Sequence, residues 1–214
     1  MIQPATLLRL APLVAVLACS APAMASDEDF QFYVYLKGSF SIAENVTNTT
    51  EISPRWREGS DILQLRTTFE TPVADGLKLG AGGAYVESGG SHEIRPHQQI
   101  VYSSGPISTR TKLEERFFEG ADRVELRLRQ NVKLSQHIAG STSGWISGEA
   151  LYTLQSRNRG NTEPGDQWRG EVGLSQRLSD SFSIAEAYRA IYTPHDTRSD
   201  TLNHIAILTL SWKP

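Results

Sequence analysis

The chain has 214 residues, 39% of them hydrophobic and 21% charged, with a formal net charge of −3 and a single cysteine. That near-neutral balance excludes a bulk basic field of the kind that gathers nucleic acid or anionic membrane surfaces. One cysteine excludes a disulfide framework.

The chain opens with the three parts of a secretory signal. Arg9 precedes the apolar run Leu10 to Ala18, and the small-residue site Ala23-Met24-Ala25 stands before Ser26. This pattern predicts a signal peptide over residues 1–25 and a single domain over 26–214. The run is about nine residues, against the roughly 20 that a spanning helix requires, and no longer apolar run follows it. Val16-Leu17-Ala18-Cys19 also resembles a lipoprotein acylation box, so anchoring through Cys19 stands as an alternative. Leu17 is bulky for that box. A cut after Ala25 removes Cys19 and leaves the mature protein without disulfide or thiol.

From Phe30 onward, hydrophobicity alternates with a period of two, the signature of strands with two chemically different faces. Phe30, Phe32, Val34, Leu36, Phe40 and Ile42 oppose Gln31, Tyr33, Tyr35, Lys37, Ser39 and Ser41. The segment Glu44 to Ser60 reads as a long polar loop, and its sequons at Asn45 and Asn48 as polar loop residues. Strands are then expected near 61–70, 76–88, 92–103, 107–118, 123–135, 145–155, 167–178, 181–193 and 201–212. With the first at 30–42 this makes about ten strands, in a range of roughly 8 to 12. Most are about 10 to 13 residues long, matching a tilted bilayer-crossing strand rather than the usual globular strand of about 5 to 6.

Links alternate between compact ones, such as Ala74-Asp75-Gly76, Ser104-Gly105-Pro106 and Ser179-Asp180, and longer polar ones, such as Asn158 to Asp166. Short turns on one rim and longer loops on the other is the bacterial outer-membrane arrangement, and an even strand count sets both termini on the short-turn rim. The expected fold is an all-β, antiparallel up-and-down barrel. Aromatics near strand ends, Tyr102, Phe117, Trp168, Phe182, Tyr192 and Trp212, are candidates for interfacial girdles.

The polar faces carry both signs densely. The candidate lumen network is Lys112, Glu114, Arg116, Glu125, Arg127, Arg129, Glu149, Arg169, Glu171 and Arg177, because a narrow barrel fills its interior with side chains that must satisfy one another. Pro96 lies inside a strand and calls for a bulge. Glu115 and Glu186 share faces with apolar residues, which calls for registers shifted by one. Near the C-terminus Ala206, Leu208, Leu210 and Trp212 alternate up to an aromatic, as in the segment the barrel assembly machinery recognises; Leu208, Leu210 and Trp212 are the candidate assembly signal. Lys213 and Pro214 follow that aromatic, which in such segments is usually last.

Three stretches resemble an uncharacterised bacterial family, domain of unknown function 2490. They are Lys112-Leu113-Glu114-Glu115-Arg116-Phe117, the Arg/Leu alternation of Arg123 to Arg129, and the run from Gln167 through Tyr188 to His204. The resemblance implies a small exported outer-membrane barrel and no established activity.

No catalytic constellation emerges. His195-Asp196 beside Arg198 reads as a solvated turn, and Ser141-Thr142-Ser143 as a turn, since Thr142 occupies the centre where a nucleophile elbow needs serine. His92 and His97 lie five apart on one strand and point to opposite faces, so no metal site is expected. Gly80, Gly82 and Gly83 mark curvature or close side-chain packing rather than a phosphate cradle. No cofactor and no nucleic-acid partner are expected. The expected partners are outer-membrane lipid and the barrel assembly machinery, with no specific ligand identified. Function reads as a small outer-membrane barrel in a binding, structural or narrow-conduit role. Alternation is blind to which face is inside, so two alternatives stand: a soluble or lipid-anchored periplasmic barrel carrying an apolar ligand, and an outer-membrane enzyme acting on lipid or envelope components.

Overall fold

The computed structural model describes residues 26–160 and 165–214. The expected signal peptide and Cys19 lie outside the described residues. Among the described residues, eleven strands follow one another in order: β1 Ser26–Ala43, β2 Val46–Trp56, β3 Ile62–Ala74, β4 Leu77–Ser88, β5 Ser91–Ser104, β6 Ile107–Phe118, β7 Glu125–Ala139, β8 Thr142–Gln155, β9 Gln167–Arg177, β10 Phe182–Thr193 and β11 Asp200–Trp212. Each pairs with its sequence neighbours, and β11 pairs with β1 to close the barrel. The count is one above ten and inside the expected range.

The added strand is β2, in the segment expected to be a loop. Its outward positions, Val46, Asn48, Thr50, Ile52, Pro54 and Trp56, mix polar with apolar residues, so period-two hydrophobicity is blurred there. The Thr-rich run is nonetheless good strand material, because β-branched side chains fit a pleated surface. Asn48 therefore lies in a strand, where its Nδ2 donates to Thr67 Oγ1 at 2.8 Å.

An odd count forces the closing pair to be parallel. Ser26 stands beside Asp200 and Gly38 beside Trp212. The start of β1 and the end of β11 consequently lie on opposite rims, correcting the expectation of termini on one rim. The links at 44–45, 75–76, 105–106, 140–141 and 178–181 share the rim where β11 ends, the short-turn rim. The other rim holds the links at 57–61, 89–90, 119–124 and 194–199 and the ends of β8 and β9 where they connect, and is the long-loop rim.

Two further expectations are corrected. Pro96 needs no bulge: Ile94 pairs with Phe117 and His97 with Glu114 in one unbroken frame, and only the two intervening pairs of the β5–β6 ladder are missing. Registers near the outward acids are not shifted either. Glu186 pairs with Leu174 and Leu208 and points outward with Tyr188, while Glu115 faces outward and accepts a bond from Gln98 Nε2 at 3.4 Å.

The faces are inverted relative to a soluble barrel. Among the described residues thirty-two large apolar side chains are exposed, whereas Glu51, Glu93, Arg95, His97, Lys112, Glu114, Arg127 and Arg129 are buried. At ~80 Å² each, well below a full aromatic side chain, the exposed set amounts to about 2,500 Å², several times the roughly 300–600 Å² of the largest patch on a typical soluble monomer.

Candidate functional site

The lumen is built where charged residues alternate with apolar ones on β5 to β9, because period two sends every second side chain inward. Antiparallel register sets opposite charges side by side. Glu114 faces Arg127, Arg116 faces Glu125, Glu149 faces Arg169, and Glu171 faces Arg189.

Glu114, 1% exposed, anchors the first cluster. It accepts from Arg127 Nη2 at 2.8 Å and from Arg129 Nη1 at 2.8 Å. Toward the long-loop rim, Glu93 takes two bonds from Arg95, both 2.7 Å, and two from Arg116, at 2.6 and 3.0 Å. Arg116 also bonds Glu125. Fork-to-carboxylate pairing of this kind compensates the desolvation of both ions, which single contacts do not.

Glu149 anchors the second cluster, with Arg129 at 2.7 Å, Arg110 at 3.1 Å and Arg169 at 3.4 Å. Beyond it, Glu171 receives Arg189 Nε at 2.8 Å and the Trp145 indole N–H at 2.8 Å. Trp145 can lie across the lumen because residue 173 is glycine: a Cβ there would sit 2.3 Å from Trp145 Cζ2. Gly82 serves a similar end, since its Cβ would meet the Thr67 carbonyl at 2.1 Å. That approach is to backbone; the close side-chain packing expected of these glycines is found at Gly80, whose Cβ would meet Gln99 Cγ at 3.0 Å and Glu70 Cγ at 3.1 Å.

The opposite wall, at the parallel seam, is apolar. Tyr33, Tyr35, Ile191, Ile205 and Ile207 form one buried cluster. Arg55 from β2 lies over the rings of Tyr33 and Tyr35, 5.0 and 5.8 Å from their centroids. Lys37 bonds Glu51 at 3.5 Å, and Arg66 approaches the same carboxylate at 3.9 Å.

Between these walls lies a cavity of about 470 Å³. Its lining contains ten Lys or Arg residues and three Glu, an excess of seven cations in a chain of formal charge −3. The fully buried side chains Leu151, Ile205, His97, Gln64, Glu114 and Ser53 all lie at or beyond mid-strand toward the long-loop rim and fill that half. Ser135, Ser143, Ser183 and Ser211, close to the short turns, line the cavity. The cavity therefore extends toward the short-turn rim. Apart from the apolar seam wall this lining is charged and polar, which gives no support to the alternative of a carrier with an apolar ligand inside.

Of the ten network residues read from sequence, Glu114, Arg116, Glu125, Arg127, Arg129, Glu149, Arg169 and Glu171 meet in these pairs. Lys112 is inward and 2% exposed, but stands opposite Arg129, and among the described residues it has no carboxylate within 4.0 Å. Arg177 lies at the end of β9, exposed and outside the network. Glu93 and Arg95, beside the strand-interrupting Pro96, and Glu51 and Arg55, in the segment expected to be a loop, are network residues that the sequence pattern did not single out. Arg66 and Arg189 sit in weaker alternation. Leu208, Leu210 and Trp212 share the outer face of β11, where Trp212 stacks on Phe182 at 6.3 Å and meets Phe40 edge-on at 5.3 Å.

His97 is inward, 3.1 Å from Thr68 Oγ1, and His92 outward, 2.7 Å from the Tyr85 hydroxyl. Among the described residues no three His, Cys, Asp or Glu side chains gather into a metal-ligating group. His195 occupies the β10–β11 loop, where its backbone N–H donates to Asp200 at 2.9 Å and its Nε2 lies 3.3 Å from Thr201 Oγ1.

A family described as "Protein of unknown function (DUF2490)" matches residues 30–203. An uncharacterized protein of Methylorubrum extorquens is 26% identical over 189 residues, covering 80% of this chain and 82% of the relative. Among solved structures, a KdgM porin is similar with a TM-score of 0.51 and 11% identity, covering 76% of this chain and 91% of that one. Likeness at that identity speaks to the fold.

Proposed function

The chain belongs to the DUF2490 family, a family of unknown function, and from its inverted faces we propose that it is a small, non-enzymatic outer-membrane barrel whose charged lumen is closed on one side. The single observation that carries this reading is the exposure, among the described residues, of thirty-two large apolar side chains around an ionic interior. Water would not tolerate that exterior, whereas hydrocarbon requires it.

The exterior aromatics support the orientation. Phe182 and Tyr192 bracket β10 ten positions apart. At ~3.3 Å per residue and a tilt of ~40° they span about 25 Å, the height of an outer-membrane apolar band. Tyr102, Phe182 and Trp212 lie toward the short-turn rim, and Phe117, Trp168 and Tyr192 toward the long-loop rim. On this reading the leader is cut after Ala25, short turns face the periplasm and the filled half of the lumen faces outward. The barrel then acts as a binding or structural element rather than an open conduit.

The test is the gel mobility of unboiled against boiled protein from a detergent-solubilised outer-membrane fraction, together with carbonate extraction and planar-bilayer recording. A mobility shift, resistance to carbonate and the absence of stable conductance are expected. Recovery in the soluble periplasmic fraction would sink the membrane reading, and steady channels would sink the closed lumen.

A further inference from the structure

We propose that the lumen cavity is a binding site for a compact oxyanion carrying two or more negative charges, of the diphosphate or polycarboxylate kind. The first ground is charge. Ten cationic side chains against three carboxylates line the cavity, and they come from strands all round the barrel. Adding the charged groups packed behind the wall, Lys112 and Arg116 with Glu70, Glu93, Glu114 and Glu125, still leaves twelve cations against seven acids. Excess cationic charge in a confined, poorly solvated space is costly until an anion answers it.

The second ground is independent of that count. Arg55 Nε and Arg169 Nε are buried donors with no hydrogen-bond partner. Lys133, also in the lining, has no carboxylate within 4.0 Å among the described residues and rests 4.5 Å over the Trp145 ring. Most buried donors in folded proteins find partners, so unanswered ones mark a place where a ligand completes the set.

Size and shape narrow the class. A cavity of about 470 Å³ falls in the small-molecule range of roughly 300–1,000 Å³. The aromatic rings that could stack on a sugar are already covered, Tyr33 and Tyr35 by Arg55 and Trp145 by Lys133. Charge, not ring stacking, is what remains on offer, and guanidinium forks match phosphate and carboxylate oxygens alike. The approach is from the short-turn rim. That the approach is periplasmic rests on the membrane orientation proposed above; the site itself rests only on the barrel's interior.

Calorimetric titration of the detergent-solubilised barrel with pyrophosphate and with citrate at low ionic strength tests the site, with acetate and maltotriose as comparisons. At least one multivalent anion is expected to bind with a Kd below about 1 mM, and which one separates a phosphate from a carboxylate source. The double variant Arg55→Gln, Lys133→Met is expected to weaken that binding by about tenfold or more while keeping the heat-dependent mobility shift. Should the double variant not fold, Lys133→Met alone, which removes no partner from any carboxylate, is expected to weaken binding by at least ~3-fold, with Lys133→Arg retaining it. Multivalent anions binding no tighter than acetate, variants binding like the parent, or maltotriose binding equally well would overturn the proposal. Because binding is read in detergent, failure here leaves the membrane reading standing, and failure of carbonate extraction leaves this site standing.

Discussion

Replacing Glu114 by Gln tests whether the ionic interior holds the barrel together. The substitution keeps shape and removes one charge. Arg127 Nη2 donates to Glu114 at 2.8 Å, with side chains 8% and 1% exposed, and Glu114 is its one ion-pair partner among the described residues. Arg129 loses one of two partners and keeps Glu149 at 2.7 Å. The uncompensated charge on Arg127, with Lys112 nearby on the same strand as Glu114, sets the magnitude. Breaking a buried pair this way costs about 3 to 5 kcal/mol, and an isosteric amide that still accepts one bond places the expectation at the low end, ~3 kcal/mol. With a urea slope of roughly 2 kcal/mol per molar, the unfolding midpoint falls by about 1.5 M, read as loss of the fast-migrating folded band after urea incubation. The double variant Glu114→Gln, Arg127→Met should recover much of the loss, giving a coupling of about 2 kcal/mol in the cycle. Were the faces reversed and the pair solvated, the loss would be about 0 to 1 kcal/mol. A shift below ~0.5 M with no coupling would refute the claim that this network is buried and structural.

Three further outcomes follow from the outer face and the lumen. Glu186 points outward at mid-strand between Leu174 and Leu208, so Glu186→Leu should raise the unfolding free energy in lipid vesicles by up to about 1 kcal/mol, while Val132→Arg on the same kind of surface should lower it by about 2 to 4 kcal/mol; equal effects of both would contradict the assignment of that face to lipid. Gly173→Ala drives a Cβ to 2.3 Å from Trp145, which should displace the indole from Glu171, cost about 1 to 3 kcal/mol and change tryptophan fluorescence; an unaltered spectrum would show the ring is not held there. Trp212→Ala removes the stack on Phe182 and the edge contact with Phe40, and should slow assembly into vesicles by the barrel machinery more than Trp168→Ala does, with equal slowing counting against a terminal assembly signal.

How far the fold could be read depended on whether alternation was clean. On β1 and β7 the apolar and polar sets separate residue by residue, and the assigned faces match the structure's, including the polar exception Gln130, which points outward and accepts a bond from Thr111 at 2.6 Å. Periodicity could not say which face was inside; only closure does, by crowding one set of side chains and spreading the other. The β2 strand escaped because Asn48 and Thr50 stand where a lipid-facing pattern leads one to expect apolar residues, and losing it also lost Glu51 and Arg55 from the lumen. Which Arg meets which Glu was unreadable for a related reason. Register decides it, and register depends on turn lengths that polar loops do not announce.

The odd strand count explains why the two halves of the interior differ. Parallel pairing is slightly weaker per residue than antiparallel pairing, so the β1–β11 seam is where a closed barrel of this kind should need help. There the lumen side carries mainly Tyr33, Tyr35, Ile205 and Ile207, which are favourable when packed and need no exact partner, with Lys37 farther along β1 paired to Glu51 of β2. The outer side carries rings: Phe30 stacks on His204 at 5.0 Å, and Trp212 reaches across the seam to Phe40. Ionic pairing is confined mainly to β5 through β10, where antiparallel register presents Glu opposite Arg. A seam held mainly by apolar and ring contacts leaves the cations of β2 and β3 facing across to a wall already rich in arginine. The cation excess of the cavity is thus a consequence of how the barrel closes: the strands that could have supplied further carboxylates are those committed to sealing it.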